Sequence, residues 1–343
     1  MSLAQEIKRK ALEIGFDLVG ITDASPIDSE QVGLLVDWLK SGFAGEMKYM
    51  LRNFEKRIDP VKLLENAQSI ICVGLNYKPP KQKSKAPDPI VPIGKVSSYA
   101  QYEDYHPFIK ERLRKLIEFV GSVTDRDNKF KICVDSVPLA ERAFAVRAGL
   151  GFIGKNHMLI NPELGPEIFL GEIITTLKLS ANEPFIFHSE RKKPLALSGV
   201  EGKAGSRNLF KKAECSNCDK CINACPTGAL GADGHFEANK CISYLTIEHK
   251  GRIHPYLSEK IDDRLFGCDE CVLACPWQED APVCKNKQFR FYNDRAKLDL
   301  ERILNLSKRD FDAEFADTTI KRIGLERLKR NAGICLSNIN RSS

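Results

Sequence analysis

The run CSNCDKCINACP, Cys215 to Pro226, limits what this chain can fold into more than any other stretch. Its spacing is C-x2-C-x2-C-x3-C-P. Four sulfurs so close together must be arranged around something, and the chain must wrap it. The opening residues, MSLAQEIKRKALEIGF, put Leu3, Ile7, Ala11 and Ile14 on one face of a helix. They lack the apolar centre and small-residue cleavage site of a secretory signal, and no twin-arginine leader is seen. No apolar run reaches membrane-spanning length. A cytoplasmic protein with no membrane association is expected. In that reducing compartment, twelve cysteines do not make a disulfide framework.

A second set follows: Cys268, Cys271 and Cys275, then Pro276, one cysteine short of the first. Cys241 in NKCISYL can supply the missing ligand. In a C-x2-C-x2-C-x3-C-P run, three thiolates hold one cubane and the fourth serves its neighbour. The spacing therefore assigns Cys215, Cys218, Cys221 and Cys275 to one [4Fe–4S] cluster. Cys225, Cys241, Cys268 and Cys271 hold the other. Two zinc knuckles are the alternative, but zinc explains neither the third cysteine three residues on nor the paired Cys-Pro endings. Cys72 and Cys133 lie in strand-like apolar runs and read as buried filler. Cys284, the nearest spare, is not counted as a ligand.

With 343 residues and 43% apolar composition the chain has material for two or three cores. The expected class is α+β. Residues 1–180 alternate helical and strand patterns, an α/β domain. SIICVGLNY (69–77), FKICVDS (130–136) and EIFLGEIITTLKL (167–179) read as strands. Residues 105–123 read as a helix, and 138–156 as a helix ending in a turn at Gly149, Gly151 and Gly154. Residues 181–212 read as a linker or insertion, and 213–285 as a ferredoxin-like two-cluster domain. Residues 286–343 form a short helical region, with helices over about 299–316 and 318–338. From Lys285 onward, 14 Lys and Arg face 8 Asp and Glu, a +6 excess equal to that of the whole chain. That is either a solvated helix face or a phosphate-binding surface.

No phosphate-binding G-x-x-x-x-G-K-[ST] loop is present. GLGFIGK contains G-x-G-x-x-G, but it follows a helix pattern rather than a strand. The cobalamin-ligand motif D-x-H-x-x-G is also missing. The stretch VDSVPLAERAFAVRAGLGFIGKNHMLINPELGPEIFLGEI (134–173) resembles the epoxyqueuosine reductases. So do EKRIDP (55–60), EDYHPFIKERLRKL (103–116), KCISYLT (240–246) and the spacing of all eight cluster cysteines. The resemblance runs from residue 3 to about 338, interrupted at 181–212.

The resemblance implies an oxidoreductase that binds cobalamin base-off, with no protein ligand to cobalt, in its N-terminal domain. Fed by two [4Fe–4S] clusters, it would reduce epoxyqueuosine to queuosine in the anticodon loop of tRNA. The substrates would be GUN-anticodon tRNAs for aspartate, asparagine, histidine and tyrosine. An external donor such as flavodoxin or ferredoxin would supply electrons, and a monomer is expected. The C-terminal helices resemble the start of a HEAT-like, tRNA-holding repeat. Asp135 matches the family's proton donor, whose pKa burial against a corrin would raise; the plain alternative is a helix cap for PLAERAF. Arg57 and Ser97 align with cobalamin contacts, and Tyr105 and His106 sit near the same pocket. Leu159 and Leu170 would pack on the corrin. Ser243 and Asp269 would close the pocket from the cluster domain. Lys250 is a candidate tRNA-phosphate contact. The 181–212 segment looks longer than usual, and the chain stops at RNAGICLSNINRSS where many members continue, so weaker tRNA binding is expected. Rival readings are a reductive dehalogenase-like reductase, a ferredoxin-type carrier without corrin, and an RNA-binding module with clusters as staples.

Overall fold

The protein is described by a computed structural model covering residues 2–80, 91–125, 127–185, 215 and 217–342. Most of the predicted 181–212 linker lies outside the described residues. Nine strands are present among them: β1 Leu18–Asp23, β2 Ser69–Asn76, β3 Ile93–Val96, β4 Phe130–Cys133, β5 Phe152–Ile153, β6 Leu159–Ile160, β7 Ile168–Thr175, β8 Arg264–Phe266 and β9 Lys297–Asp299.

The first sheet has the order β1-β2-β7-β4, and each neighbouring pair is antiparallel. All of β2 is buried, because helices cover both faces. That is why SIICVGLN is a continuous apolar run and does not alternate. On one face lie helices Leu3–Ile14 and Tyr105–Val123, packed around Ile7, Ile71, Val73, Ile109 and Leu113. Helix Glu141–Arg147 covers the other through Phe144 and Ala145. Cys72 and Cys133 are fully buried there, as filler. The first helix begins with a Ser2–Gln5 capping box and stops at Gly15 with φ 105°, a left-handed turn that glycine adopts without strain.

The mixed class holds, and all three predicted strands form. The 138–156 helix is shorter than expected, only Glu141–Arg147. Gly149 takes φ 81°, and the Gly149 and Leu150 amides close the helix end onto the Val146 and Ala145 carbonyls. Beyond it β5 and β6 form a hairpin, where a Cβ on Gly151 would stand 2.3 Å from the Ile160 carbonyl oxygen. The two predicted C-terminal helices each split. Leu300–Asn305 and Lys308–Glu314 replace the first, and a 3-10 turn Thr319–Ile323 precedes Leu325–Ser342.

A second sheet, β8-β3-β9, joins distant parts of the chain. β3 runs parallel to β8 and antiparallel to β9. One apolar core takes in Val96 and Ala100, continues through Ile242, Leu265 and Phe266, and ends in Leu300, Phe311, Phe315, Leu328 and Cys335. The chain then stitches itself to the first sheet. Lys78 Nζ donates to the Gln278 and Ala281 carbonyls (2.6 and 2.8 Å), and Asn76 Nδ2 to that of Pro282 (2.8 Å). The Cys284 amide donates to the Lys78 carbonyl at 2.8 Å, and its side chain packs on the first core. Cys284 is therefore a packing residue, apart from the other motif cysteines.

Gly151→Ala forces the hairpin apart at a backbone carbonyl, so a loss of about 1–3 kcal/mol is expected. Denaturant unfolding measures it, and an unchanged midpoint would show that the hairpin can shift freely.

Candidate active site

The motif thiols fall into two electrostatic neighbourhoods. Cys275 feels Cys215, Cys221 and Cys218, and Cys221 feels Cys215 and Cys218. Cys271 feels Cys241, Cys268 and Cys225, while Cys241 feels Cys225 and Cys268 feels Cys241. This is the crossed grouping expected from the spacing, with Cys225 and Cys275 exchanged between motifs. Among the described residues, no three His, Cys, Asp or Glu side chains converge tightly enough to hold a single metal ion.

Backbone N–H groups surround these sulfurs. The Lys155 amide, just past β5, donates to Cys215 Sγ at 3.3 Å. Burial works against the Cys225 thiolate, but the amides of Leu230, Thr227 and Ala229 and the Thr227 hydroxyl outweigh it and lower its pKa. Hydrogen bonds to ligand sulfur are one of the levers that set a cluster's potential. The first quartet rests against the hairpin, with Cys215 and Cys275 packed beside Phe152, Ile160 and Trp277. Of the second, Cys271 lies close enough to Arg142 for their charges to interact, as does Asp135.

Asp135 lies just after β4, in a left-handed conformation with φ 51°. Its amide donates to Glu141 Oε1 at 2.6 Å, and its side chain is 59% exposed. It does not cap the helix after it: the capping position is Ala140, with no side-chain cap. Asp135 Oδ2 instead lies 3.0 Å from His106 Nε2, and His106 Nδ1 lies 2.6 Å from Asp104 Oδ1. Arg322 then donates to Asp104 Oδ2 from Nε and from an Nη, at 3.2 and 3.1 Å.

Burial raises the Asp135 pKa, as expected, but the hydrogen bond and charge of His106, then Arg322, outweigh it, and the net shift is downward. The rise expected for Asp135 is tied to a corrin face beside it, whereas here the carboxylate faces His106. Burial lowers the His106 pKa, and its two aspartates more than reverse that. Both ring nitrogens of His106 thus face carboxylates, a setting that favours its protonated form. Burial would raise Asp104, but hydrogen bonds from His106 and the Arg322 charge bring it down to about 2. Glu141 and Glu172 beneath the loop are both pushed upward, first by burial and next by neighbouring carboxylates.

An aromatic wall leads away from this carboxylate. Tyr105 stacks on His106 and on Phe169, with centroids 4.0 and 4.1 Å apart. Phe169 meets Tyr99 edge-on, and Tyr99 reaches Phe266, two residues before Cys268. Asp269 Oδ2 accepts the Ser98 amide at 2.6 Å, pinning the cluster segment to the first domain. Ser97 is buried, and its Oγ lies near Asp269 without reaching hydrogen-bond geometry. Arg57 Nε is also buried without a partner. A Cβ on Gly267 would stand 2.2 Å from Ser97 Oγ, so this edge admits only glycine.

The buried, unpartnered Arg57 Nε, beside Asp135 and Glu141, leaves a donor free for a large group with polar edges, as cobalamin is. Leu159 is buried in the core beneath helix Glu141–Arg147, and Leu170 packs against that core. Ser243 is half-buried on helix Ile242–Ile247, and Lys250 is exposed just beyond it. Of the predicted cofactor residues, Asp135, Tyr105, His106, Ser97 and Asp269 join one cleft through Tyr99, which feels both Asp269 and Asp135. Arg57 joins from the other side, beside Glu141 and Asp135.

Known proteins resemble this chain along nearly all its length. A family model described as epoxyqueuosine reductase matches residues 57–136, and one described as a 4Fe-4S double cluster binding domain matches 214–278. The epoxyqueuosine reductase of Vibrio cholerae is 33% identical over 338 residues, covering 98% of this chain and 83% of that protein. The chain belongs to the epoxyqueuosine reductase family. A crystal structure of an epoxyqueuosine reductase with an epoxyqueuosine-modified tRNA-Tyr stem loop superposes with a TM-score of 0.83. It is 30% identical and covers 98% of this chain and 81% of that one. The Bacillus subtilis epoxyqueuosine reductase also gives 0.83, at 29% identity over the same shares; its catalytic aspartate loop is swung out of the active site.

In this epoxyqueuosine reductase family member, the double-cluster domain matched over residues 214–278 supports two [4Fe–4S] clusters. The basic tail is largely engaged internally. Arg290 pairs with Asp317, Arg302 with Glu314, Lys308 and Lys321 with Asp312, and Arg341 with Glu259. Arg330 donates to the carbonyls of His249, Gly251 and Leu245. Much of the charge excess seen in the sequence thus holds the helices together. Among the described helices none is long and apolar enough to cross a membrane.

Cys225→Ala should lower iron content after anaerobic reconstitution from about eight to about four per chain, whereas Cys284→Ala should leave it near eight. Iron counting decides, and equal losses in both variants would break the assignment.

Proposed function

We propose that this protein reduces epoxyqueuosine to queuosine at the wobble position of tRNA, with cobalamin in the cleft beside Asp135. The observation that carries the reading is the cleft itself: the Tyr105–Phe169–Tyr99 aromatic wall leading towards Cys268, the buried unpartnered Arg57 Nε, and the Asp135 carboxylate 3.0 Å from His106 Nε2. Bound cobalamin supplies a low-valent metal reductant for C–O cleavage. The two clusters supply one-electron storage between an external donor, such as flavodoxin or ferredoxin, and the cleft.

This chain's own residues have distinct tasks. Arg57 Nε and Ser97 Oγ hold the polar edge of the corrin. Tyr99, Tyr105 and Phe169 exclude water from one side of the cleft. The oxygen released from the epoxide leaves as water and needs protons, since a bare oxyanion is a poor leaving group. Asp135 Oδ2 is the group that hands them over. The Glu141 carboxylate keeps the Asp135 loop in its left-handed turn. Lys250 and the exposed face of the C-terminal helices would meet the phosphates of GUN-anticodon tRNAs. The protein would act in the cytoplasm as a monomer.

Protein loaded with iron, sulfide and cobalamin, given epoxyqueuosine-tRNA and a strong reductant under anaerobic conditions, should form queuosine. Full loading without product would overturn the reading. Asp135→Asn should bind cobalamin and tRNA as before, yet turn over about 10²–10⁴-fold more slowly. Arg57→Ala should weaken cobalamin binding in an absorption titration, and unchanged affinity would remove Arg57 from the cradle.

A further inference from the structure

We infer that His106 is the proton reservoir behind Asp135, and that Arg322 of the C-terminal segment, acting through Asp104, positions it. The inference rests on the proposed reaction. Four groups from three distant parts of the chain form one unbroken line: Arg322, Asp104, His106 and Asp135, linked at 3.1, 2.6 and 3.0 Å. His106 is only 4% exposed and Asp104 18%, while Asp135 is 59% exposed. The line therefore runs from a buried ring to an open carboxylate, a geometry suited to delivery.

The stoichiometry calls for such a reservoir. Epoxide reduction to an alkene breaks both C–O bonds and releases the oxygen as water, taking up two electrons and two protons. The electrons come from the reduced corrinoid and clusters. Asp135 carries at most one proton, and its surroundings favour the ionised form. The Nε2 proton of the imidazolium can pass to Asp135 Oδ2 and on to the departing oxygen. Neutral His106 keeps its Nδ1 proton on Asp104, regains one at Nε2 from solvent through Asp135, and repeats the transfer. Asp104 holds the ring so that Nε2 faces Asp135, and Arg322 holds Asp104.

The charges facing this line come from several elements. Around His106 stand Asp104, Asp135, Tyr105 and Arg322. Near Asp135 stand Glu141 and Arg142 of helix Glu141–Arg147, Arg57 of helix Phe54–Ile58, and Tyr49, Tyr99 and Glu248. Arg322 pushes the His106 pKa down, so its removal lets the ring keep its proton to higher pH. Activity that needs the proton is present below the His106 pKa and fades as pH rises through it.

The test pairs turnover with a histidine titration. NMR of 15N-histidine-labelled, cluster-loaded protein in its oxidised state follows the six histidines, with His106 identified by its loss in His106→Asn. Wild-type His106 should titrate above about 6.5, the ordinary value. In Arg322→Gln both that pKa and the basic limb of kcat should rise by roughly half a unit to one unit, and Arg322→Lys should return most of the shift. In His106→Asn the proton must sit on Asp135 alone, and the basic limb should move to lower pH. KM for tRNA should stay constant throughout. An Arg322→Gln protein with unchanged His106 pKa and basic limb overturns the inference, as does one that changes only KM. If His106→Asn loses its clusters, the Arg322 pair decides alone. A wild type without turnover counts against the proposed function, while the titration still tests the chain of groups.

Discussion

The exchange of Cys225 and Cys275 between the two cysteine motifs is the constraint on which the rest depends. As the spacing assigns them, Cys215, Cys218 and Cys221 join Cys275, while Cys268 and Cys271 join Cys225 and Cys241, so completing both quartets requires residues 215–225, Cys241 and residues 268–275 to meet. That meeting fixes where Asp269 and Gly267 lie. Asp269 then receives the Ser98 amide, and Gly267 leaves room for Ser97 Oγ. The second quartet is thereby set at the end of the aromatic wall that begins at Tyr105. The distance an electron travels and the shape of the cleft come from one covalent pattern.

Within the cleft, burial and hydrogen bonding oppose each other at every titratable group of the Asp104–His106–Asp135 line. Burial alone would leave an uncharged acid beside an uncharged imidazole. Alternating carboxylate and cation instead stabilises charge along the whole line, because each buried charge touches one of opposite sign. Glu141 and Glu172 show the other outcome. They have carboxylates for neighbours, and both shift upward.

Strands and the two-cluster domain were legible in the sequence because their signals are local. SIICVGLN is apolar throughout since both faces of β2 are covered, and the cysteine spacing follows from the shape of a cubane. The helix expected over 138–156 was overextended: ERAFAVRAG has helical periodicity, but the turn at Gly149 depends on where the chain goes next. The neighbours that pull the Asp135 pKa down were hidden for a related reason. Arg322 lies 218 residues from Asp104, and nothing local in either segment announces the other. Glu141, Phe169 and Tyr99 were missed in the same way, although Asp104 ahead of YHP carries a readable capping signal. The basic tail misleads in the opposite direction, because its composition conceals how many cations pair with acids of neighbouring elements.

The three-stranded sheet has a consequence for how the chain is made. β3 ends at Val96, but its partners are residues 264–266 and 297–299. At about 5–20 residues per second, a ribosome needs on the order of 10–40 seconds to deliver them. Throughout that interval the Ser97–Tyr99 edge of the cleft has no floor. The cofactor cradle is therefore a late product of biogenesis, completed only after residues 297–299 have emerged. Cutting the gene between the two domains would leave two fragments, neither of which holds the site.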